Sequence, residues 1–299
     1  MLLKPRTWNS ATSSWVLLII LALIWGSSFI LIKKGLAAFS AMEVGSIRVI
    51  SAALFMLPLV INKFRQTRRK ELLYLFVVGF SGSFFPAILF AIAQTRISSS
   101  LSGVLNSMTP VFVLILGALF FGQRIRYFGI AGILLGFTGT IILITGFSFE
   151  SFRNINYYAF FVILATLCYG INLNIIKFRL KEVKPVEITG ISVALVLPLA
   201  LVILFFFTGF SERNIQSLLT YEMLAVVVLG IMGTGIALLL FNKMVKISSP
   251  LFASSVTYLI PAVAVMWGLL DGETLAFYHY AGLFLIIAGV IMINTKRSA

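Results

Sequence analysis

Asn106 and Thr257 each lie four residues before a proline within a long apolar stretch of the sequence. A proline inside a helix cannot donate a hydrogen bond to the carbonyl four residues earlier, so Pro110 and Pro261 would free the carbonyls of Asn106 and Thr257. A freed carbonyl beside a polar side chain can bind a solute at a depth where the bilayer holds no water. The alternative is that each proline only kinks its helix and that a neighbouring Ser or Thr satisfies the carbonyl.

Two other sites combine an aromatic ring with a polar group three residues later. Trp25 and Ser28 form the first pair, and Tyr169 and Asn172 form the second. Side chains at this spacing share one face of a helix. Such pairs suit a solute of mixed polar and apolar character. The alternative is that Trp25 and Tyr169 belong to the aromatic belts at the membrane surface, although both lie inside their apolar runs.

Arg48 is the one basic residue that must be placed inside a membrane span. The charge-free stretch that follows it, residues 49–62, is short, so a full span must begin near Val44 and include Arg48. A charge in this position costs about 2.5–3.5 kcal/mol on insertion scales, so it needs a partner or water. Arg48 lies just over one turn after Glu43, toward the predicted outer end of its helix. It either extends to the lipid headgroups as an anchor, or contacts a solute or a gate, and both interpretations stay open.

The residues that most enzymes require are scarce in this chain. A single histidine, His279, cannot build a metal cage, and no Ser-His-Asp set can be assembled around it. One cysteine, Cys168, forms no internal disulfide. A phosphate-binding glycine loop is also absent. The sequence therefore predicts no catalytic residue, no metal and no cofactor. The grouping of Asp271 and Glu273 with His279 is the one feature that a membrane-embedded enzyme could use.

Composition requires these residues to be carried on membrane helices. The chain is 60% hydrophobic and 11% charged over 299 residues. A span needs roughly 20 apolar residues, and ten stretches free of Asp, Glu, Lys and Arg recur along the chain. They are 7–32, 49–62, 72–95, 97–123, 127–149, 154–176, 188–211, 223–242, 247–270 and 274–295. The sequence therefore predicts an all-α polytopic membrane protein with ten helices, numbered here 1 to 10.

The placement of the basic residues predicts the orientation in the membrane. With the N-terminus in the cytoplasm, only five of the 23 Lys and Arg residues lie on the outer side, namely Lys33, Lys34, Arg96, Arg153 and Arg213. Arg48 lies within a span and the rest lie inside, as the positive-inside rule expects. The net charge of +14 is thus explained by topology, and we expect no nucleic-acid partner. Both termini are predicted to be cytoplasmic.

The two halves of the chain carry the same landmarks about 150 residues apart. Ser98, Pro110, Gly122, Gly132 and Gly139 in the first half correspond to Ser249, Pro261, Gly272, Gly282 and Gly289 in the second. Five helices per half is an odd number, so the second half must be inverted relative to the first. Duplicated, inverted halves typically enclose a solute site between them. The matching glycines predict close helix packing, within the bundle or with another copy of the chain.

Together these residues resemble the EamA family of the drug/metabolite transporter superfamily. The resemblance covers residues 15–295 and rests on the order of Trp25-Gly26, Arg48, Pro110, Pro261 and Gly272-Glu273. It implies ten helices, cytoplasmic termini and a central cavity that works by alternating access, typically for export of amino acids or other small metabolites. One departure is Gln123, where such proteins often carry a glutamate after Gly122. Glu273 then has no acidic counterpart in the first half of the chain.

The leading hypothesis from the sequence is a secondary transporter of the bacterial inner membrane. It would contain one repeat in residues 1–147 and an inverted repeat in residues 154–299, and it would move a small solute, as a monomer or homodimer in the lipid bilayer. The solute would contact Trp25, Ser28, Asn106, Tyr169, Asn172, Thr257 and Tyr258, while Pro110, Pro261 and Arg48 would serve gating. The alternative is a membrane-embedded enzyme or a lipid-handling protein.

Overall fold

The computed structural model describes residues 10–124, 126–146, 156–213, 219–270 and 276–294, and the regular structure in these ranges is helical. Ten helices follow one another within them, labelled α1 to α10. Their bounds are Ser10–Gly35 (α1), Ala41–Val60 (α2), Arg69–Gln94 (α3), Ser99–Asn106 with Thr109–Phe121 (α4), Tyr127–Thr145 (α5), Ala159–Phe178 (α6), Pro185–Phe206 (α7), Tyr221–Ile247 (α8), Pro250–Ser254 with Val256–Leu270 (α9) and Phe277–Asn294 (α10). Short 3-10 turns, Ile61–Gln66 and Gly209–Glu212, follow α2 and α7.

The lengths of these helices match the thickness of a bilayer. Eight of those in the described ranges are long and apolar enough to cross a membrane. The other two, α5 and α9, contain the shorter apolar stretches Tyr127–Leu143 and Pro250–Val263. Arg48 lies within α2, as the sequence required. The predicted all-α, ten-helix membrane fold is confirmed.

Short polar side chains fix the starts of several helices. Ser40 accepts a hydrogen bond from the Glu43 N–H at 3.3 Å, and the Glu43 carboxylate accepts one from the Ser40 N–H at 2.7 Å. This reciprocal pair satisfies two backbone donors that no helical carbonyl can reach. Ser98 and Ser249, which correspond in the repeat, cap α4 and α9 with one hydrogen bond each, accepted by the serine side chain from the N–H of Leu101 and of Phe252. Gly122 ends α4 with a φ of 64°, a left-handed conformation that favours glycine.

The contacts between helices repeat from one half to the other. Helix α4 packs on α6 as α9 packs on α1, and α3 packs on α7 as α8 packs on α2. Helices α2 and α7, which correspond, pack on each other, and so do α5 and α10. Because each half contributes five spans, the second half crosses the membrane in the opposite sense. The fold is therefore a pair of inverted five-helix repeats.

The α5–α10 contact is a direct approach of two backbones. A β-carbon at Gly132 would lie 2.7 Å from the carbonyl oxygen of Gly289, and one at Gly139 would lie 2.8 Å from that of Gly282. Both distances are shorter than any ordinary carbon–oxygen contact. These glycines therefore serve close packing inside the bundle, which is one of the two roles that their spacing predicted.

The proline-containing helices α4 and α9 are interrupted, but not at the prolines. The break in α4 lies at residues 107–108, so Pro110 falls in the first turn of the next segment, a position that proline favours. The break in α9 lies at Ser255, and Pro261 is inside the continuous segment that follows. At each break a serine hydroxyl bonds the carbonyl three residues earlier, at 2.5 Å for Ser107 and 2.6 Å for Ser255, which tightens the turn. The predicted matching kinks are thus displaced from the prolines and from each other.

Two wide π-helical turns mark equivalent positions in the two halves. Helix α3 contains Phe80–Phe84 and α8 contains Leu229–Ile236 in this conformation. A π turn widens the hydrogen-bonded ring by one residue and is often found at functional sites. Both turns face the centre of the bundle.

The largest apolar cluster among the described residues fills the half of the bundle that the sequence predicts to be cytoplasmic. Leu18, Leu75, Ile176 and Met244 belong to it, and each is at most 1% exposed. The core fills the space between α1, α3, α6 and α8 at that end. The open space in the bundle therefore lies farther along the helices, near their middle.

Candidate functional site

A cavity lies between the two halves of the chain. Within the described residues its walls come from α1, α2, α3, α4, α6, α8 and α9. The structure brings together six of the seven side chains that the sequence proposed as solute contacts. These six are Trp25, Ser28, Asn106, Tyr169, Asn172 and Thr257.

The first wall of the cavity joins α1 to the π turn of α8. The indole N–H of Trp25 donates to the carbonyl oxygen of Gly233 at 2.8 Å. Ser28 lies one turn further along α1, and a β-carbon on Gly233 would come within 2.9 Å of its hydroxyl oxygen. The Ser28 hydroxyl donates to the Ile24 carbonyl at 2.9 Å, so its oxygen remains an acceptor for the cavity.

The second wall joins α6 to α3, with the halves exchanged. The side-chain amide of Asn172 in α6 donates to the carbonyl of Val78 at 2.8 Å, two residues before the π turn in α3. A β-carbon on Gly82 would overlap this amide, at 2.2 Å from its nitrogen. In each half a glycine of the π turn, Gly82 or Gly233, makes room for a polar side chain on the first helix of the opposite half, Asn172 or Ser28.

Aromatic rings give the cavity its apolar surface. Trp25 packs edge-on against Phe241, with ring centroids 5.0 Å apart. Tyr169 stacks on Phe90 at 6.1 Å, and Phe90 meets Phe29 edge-on at the same distance. The Tyr169 hydroxyl makes no hydrogen bond within the described residues and lines the cavity. An apolar or aromatic body would pack well between such rings.

The polar groups near the helix breaks differ between the halves. The carbonyl of Asn106 accepts a hydrogen bond from the Thr109 hydroxyl at 2.7 Å, which is the satisfied alternative that the sequence left open. The Asn106 side-chain N–H groups have no partner in the described part of the chain. In α9 the Thr257 hydroxyl donates to the Ser254 carbonyl at 2.9 Å. The donors of the Asn106 amide therefore remain available to a solute.

Arg48 lines the same cavity, so its side chain does not extend to the membrane surface. Its Nε donates to the hydroxyl of Thr234 at 2.7 Å, inside the π turn of α8. The nearest carboxylate along α2, Glu43, instead pairs with Arg213 through contacts of 3.0 and 3.1 Å. This position differs from that of an anchor at the lipid headgroups, and the contact of Arg48 with a solute or a gate stays a prediction.

Three predicted residues lie outside the cavity wall. Tyr258 is fully buried, and its hydroxyl donates to the Ile133 carbonyl of α5 at 3.3 Å. Its ring fills the space that a side chain at Gly136 would need. Pro110 and Pro261 lie on α4 and α9 near the wall but do not line it.

The end of the bundle that the sequence predicts to be cytoplasmic is tied by two lysines. Lys177 in α6 donates to the carbonyls of Val245, Lys246 and Ser248, where α8 ends, at 3.1, 3.4 and 2.5 Å. Lys246 in α8 donates in return to the carbonyls of Leu180 and Lys181, just after α6 ends. Cations at helix C-termini satisfy carbonyls that have no helical donor. We call Lys177 and Lys246 the lysine clamp.

Of the three residues that a membrane-embedded enzyme could use, the structure describes His279. Asp271 and Glu273 lie outside the described residues. His279 accepts the backbone N–H of Ala276 at 2.9 Å and thereby caps α10. Among the described residues no three His, Cys, Asp or Glu side chains gather as a metal site. Gln123, the departure from the family pattern, folds over α4, where its side-chain oxygen would lie 2.4 Å from a β-carbon at Gly117.

Several lining residues had a signal in the sequence that was missed. The π turns coincide with glycine clusters, Gly79 and Gly82 in the first half and Gly230, Gly233 and Gly235 in the second. The clusters repeat at about the same offset as the prolines. A closer search for repeated glycines would have pointed to both turns and to Thr234.

The duplicated fold and the central cavity together define a membrane transport protein. The model of the EamA-like transporter family matches residues 13–145 and 156–295. The chain therefore belongs to the EamA-like transporter family, as the resemblance in its sequence implied.

Individual relatives agree with this assignment. An uncharacterized transporter of Archaeoglobus fulgidus is 28% identical over 285 residues, which cover 95% of this chain and 99% of that protein. The uncharacterized inner membrane transporter YedA of Escherichia coli K12 is 24% identical, covering 93% of this chain and 89% of YedA. A chloroplastic WAT1-related protein of Arabidopsis thaliana is 22% identical, covering 94% and 69%. One crystal structure shares the fold with a TM-score of 0.71 at 15% identity, covering 94% of this chain and 96% of that one.

Proposed function

We propose that this chain is a secondary transporter that exports a small solute, an amino acid or a related metabolite, across a bacterial inner membrane by alternating access. The observation that carries the proposal is the central cavity. Its walls pair equivalent helices of two inverted repeats, α1 with α6, α3 with α8 and α4 with α9. Sites of this kind in duplicated transporters lie near the middle of the bilayer.

Alternating access requires that one end of the cavity close while the other opens. The apolar core and the lysine clamp close the end that carries most of the basic residues. The positive-inside rule assigns this end, and both termini, to the cytoplasm. The name of YedA, an inner membrane transporter, supports the same location for this chain. The breaks in α4 and α9 and the nearby prolines would let these helices move, and the repeats would comprise residues 1–147 and 154–299.

Solute binding would use the polar and aromatic groups of the cavity. Asn106 and Tyr169 offer donors with no partner in the described part of the chain, and Ser28 and Thr257 offer acceptor oxygens. Tyr258 is left out of this set because its hydroxyl is used by α5. We expect no chemical change of the solute, and none of the described side chains is assigned a catalytic role.

Proteoliposomes test this proposal directly. Purified protein would be reconstituted with a panel of labelled amino acids and related metabolites, and saturable counterflow of at least one chemically unchanged solute is expected. Asn106→Ala and Tyr169→Phe should raise its KM several-fold. Asn62→Ala and Tyr127→Phe are the matched controls, since Asn62 and Tyr127 are exposed residues away from the cavity. Absence of saturable flux across the whole panel, or unchanged kinetics in both cavity variants, would count against the proposal.

A further inference from the structure

Arg48 carries a charge that the described protein does not neutralise. Its guanidinium forms one hydrogen bond, from Nε to Thr234, and no ion pair within the described residues. Burying a cation without a counter-charge is costly, and intramembrane charges that persist are usually paired or functional. Arg48 also lines the central cavity, where a solute can reach it.

The other charges near Arg48 do not offer it a partner. Glu43 lies just over one turn earlier on α2, but both of its carboxylate oxygens are held by Arg213. Among the described lining residues Arg48 is the one charged side chain, and no Asp or Glu lines the cavity. The cavity wall therefore presents a net charge of about +1, in a surrounding of low dielectric constant that strengthens its attraction for an anion.

The position of the guanidinium also suits one kind of anion. The bond from Nε to Thr234 fixes the plane of the group and leaves its two terminal nitrogens free to donate. Two parallel N–H groups match the two oxygens of a carboxylate. A doubly charged phosphate would require a second cation, which the described wall lacks. The ammonium of a zwitterion would find no carboxylate in that wall.

We propose that the transported solute is a monoanionic carboxylate with an apolar or aromatic body, and that Arg48 binds its carboxylate. This inference rests on the proposed transport function and narrows its substrate class toward acids that lack an ammonium group. The body would pack between the rings around Trp25 and Tyr169. Binding would neutralise the charge of Arg48 within the cavity.

A ligand series on the unaltered protein tests this first. The probes share one skeleton and differ in one group: 3-phenylpropanoate, its primary amide, 3-phenylpropylamine and phenylalanine. Binding to the detergent-purified protein would be measured by calorimetry, with thermal unfolding as a second readout. The carboxylate should bind at least about tenfold more tightly than the amide, the amine or the amino acid. Equal binding of the amide, tighter binding of phenylalanine, or no binding of the carboxylate would each overturn the proposal.

Variants then test the assignment to Arg48. Arg48→Gln should weaken carboxylate binding at least about tenfold and leave amide binding unchanged, while Arg48→Lys should recover part of the loss because it retains the charge. Lys63→Gln, which removes an exposed cation after α2, should change neither. Undiminished carboxylate binding by Arg48→Gln would refute the role of Arg48.

Counterflow separates this proposal from the broader one. If other solutes of the panel are transported while 3-phenylpropanoate is neither bound nor moved, the transporter stands and the carboxylate class fails. If 3-phenylpropanoate binds through Arg48 but no solute crosses the membrane, the carboxylate site stands and the transport function fails.

Discussion

The indole N–H of Trp25 lies 2.8 Å from the carbonyl oxygen of Gly233, and the amide nitrogen of Asn172 lies 2.8 Å from that of Val78. The first bond runs from α1 to the π turn of α8, and the second runs from α6 to α3, two residues before its π turn. The first helix of each half is therefore hydrogen-bonded to a helix of the other half beside the cavity. In the proposed alternating access, movement of the two halves would lengthen or replace at least one of these bonds.

Removing the indole donor tests how much this bond contributes. Trp25→Phe keeps a ring against Phe241 but leaves the Gly233 carbonyl without its donor, which should cost about 1–3 kcal/mol of stability and reduce counterflow. Thermal unfolding in detergent and counterflow are the two measurements. Trp15→Phe is the control, because Trp15 packs edge-on against Phe252 outside the cavity wall. Equal effects of the two substitutions would show that the indole N–H of Trp25 has no special role.

Tyr258, which is buried, and Tyr169, which is half-buried, distinguish the surrounding core from the cavity. Tyr258→Phe removes one hydrogen bond to the Ile133 carbonyl and should lower stability by about 1 kcal/mol with transport kinetics unchanged. Tyr169→Phe removes a hydroxyl that lines the cavity and should change KM with little loss of stability. Unfolding temperatures and counterflow kinetics would be measured on both. The reverse pattern would place Tyr258 in the site and Tyr169 outside it.

The sequence predicted the broad fold because apolar length and charge placement are properties of single segments. The sequence also identified six of the residues that line the cavity. Trp25 and Ser28 share a face of α1 because they are three residues apart, and Tyr169 and Asn172 share a face of α6 for the same reason. The orientation of Tyr258 could not be predicted in this way. Its ring turns toward α5 because Gly136, more than 120 residues earlier, leaves a space there.

The π turns and the helix breaks depend on partners that are distant in sequence or on local competition. The turn in α8 accepts a donor 208 residues away, and Val78, two residues before the turn in α3, accepts one 94 residues away. The breaks in α4 and α9 lie at Ser107 and Ser255, whose hydroxyls compete for helical carbonyls. The sequence had led us to expect these breaks at the prolines instead. Periodicity within one helix carries no information about either effect.

The backbone contact between α5 and α10 predicts a sharp dependence on side-chain size. Gly139→Ala would place a carbon 2.8 Å from the Gly282 oxygen, and the forced separation should cost about 1–3 kcal/mol in thermal unfolding. Gly103→Ala is the control, since its nearest neighbour, Cγ of Pro261, is 3.9 Å away and alanine is the better helix former. An unfolding temperature for Gly139→Ala at or above that of the control would contradict the close packing.

The ion pair between Glu43 and Arg213 ties α2 to the segment after α7. The Glu43 side chain is 3% exposed, so Glu43→Gln leaves Arg213 without its charge partner and should cost about 3 kcal/mol. A double-mutant cycle with Arg213→Gln measures the coupling, and the double variant should lose less than the sum of the two single changes. Glu212→Gln, at an exposed position in the same segment, should have no measurable effect. Additive losses would mean that the pair contributes nothing as a pair.

The lysine clamp should hold the predicted cytoplasmic end of the cavity closed. Lys177→Met and Lys246→Met each remove the donor that crosses to the end of the other helix, so both should raise the access of that side to the cavity several-fold. Access would be measured as the rate at which a membrane-impermeant thiol reagent labels Ser254→Cys, in a background with Cys168→Ser, because Ser254 lines the cavity. Lys181→Met removes a neighbouring charge whose side chain takes no part in the clamp, and its labelling rate should match the parent. The lysines would not be what closes this end if Lys177→Met and Lys246→Met speed labelling only from the opposite side, or if all variants are labelled at the same rate. The apolar core around Met244 would then be responsible for the closure.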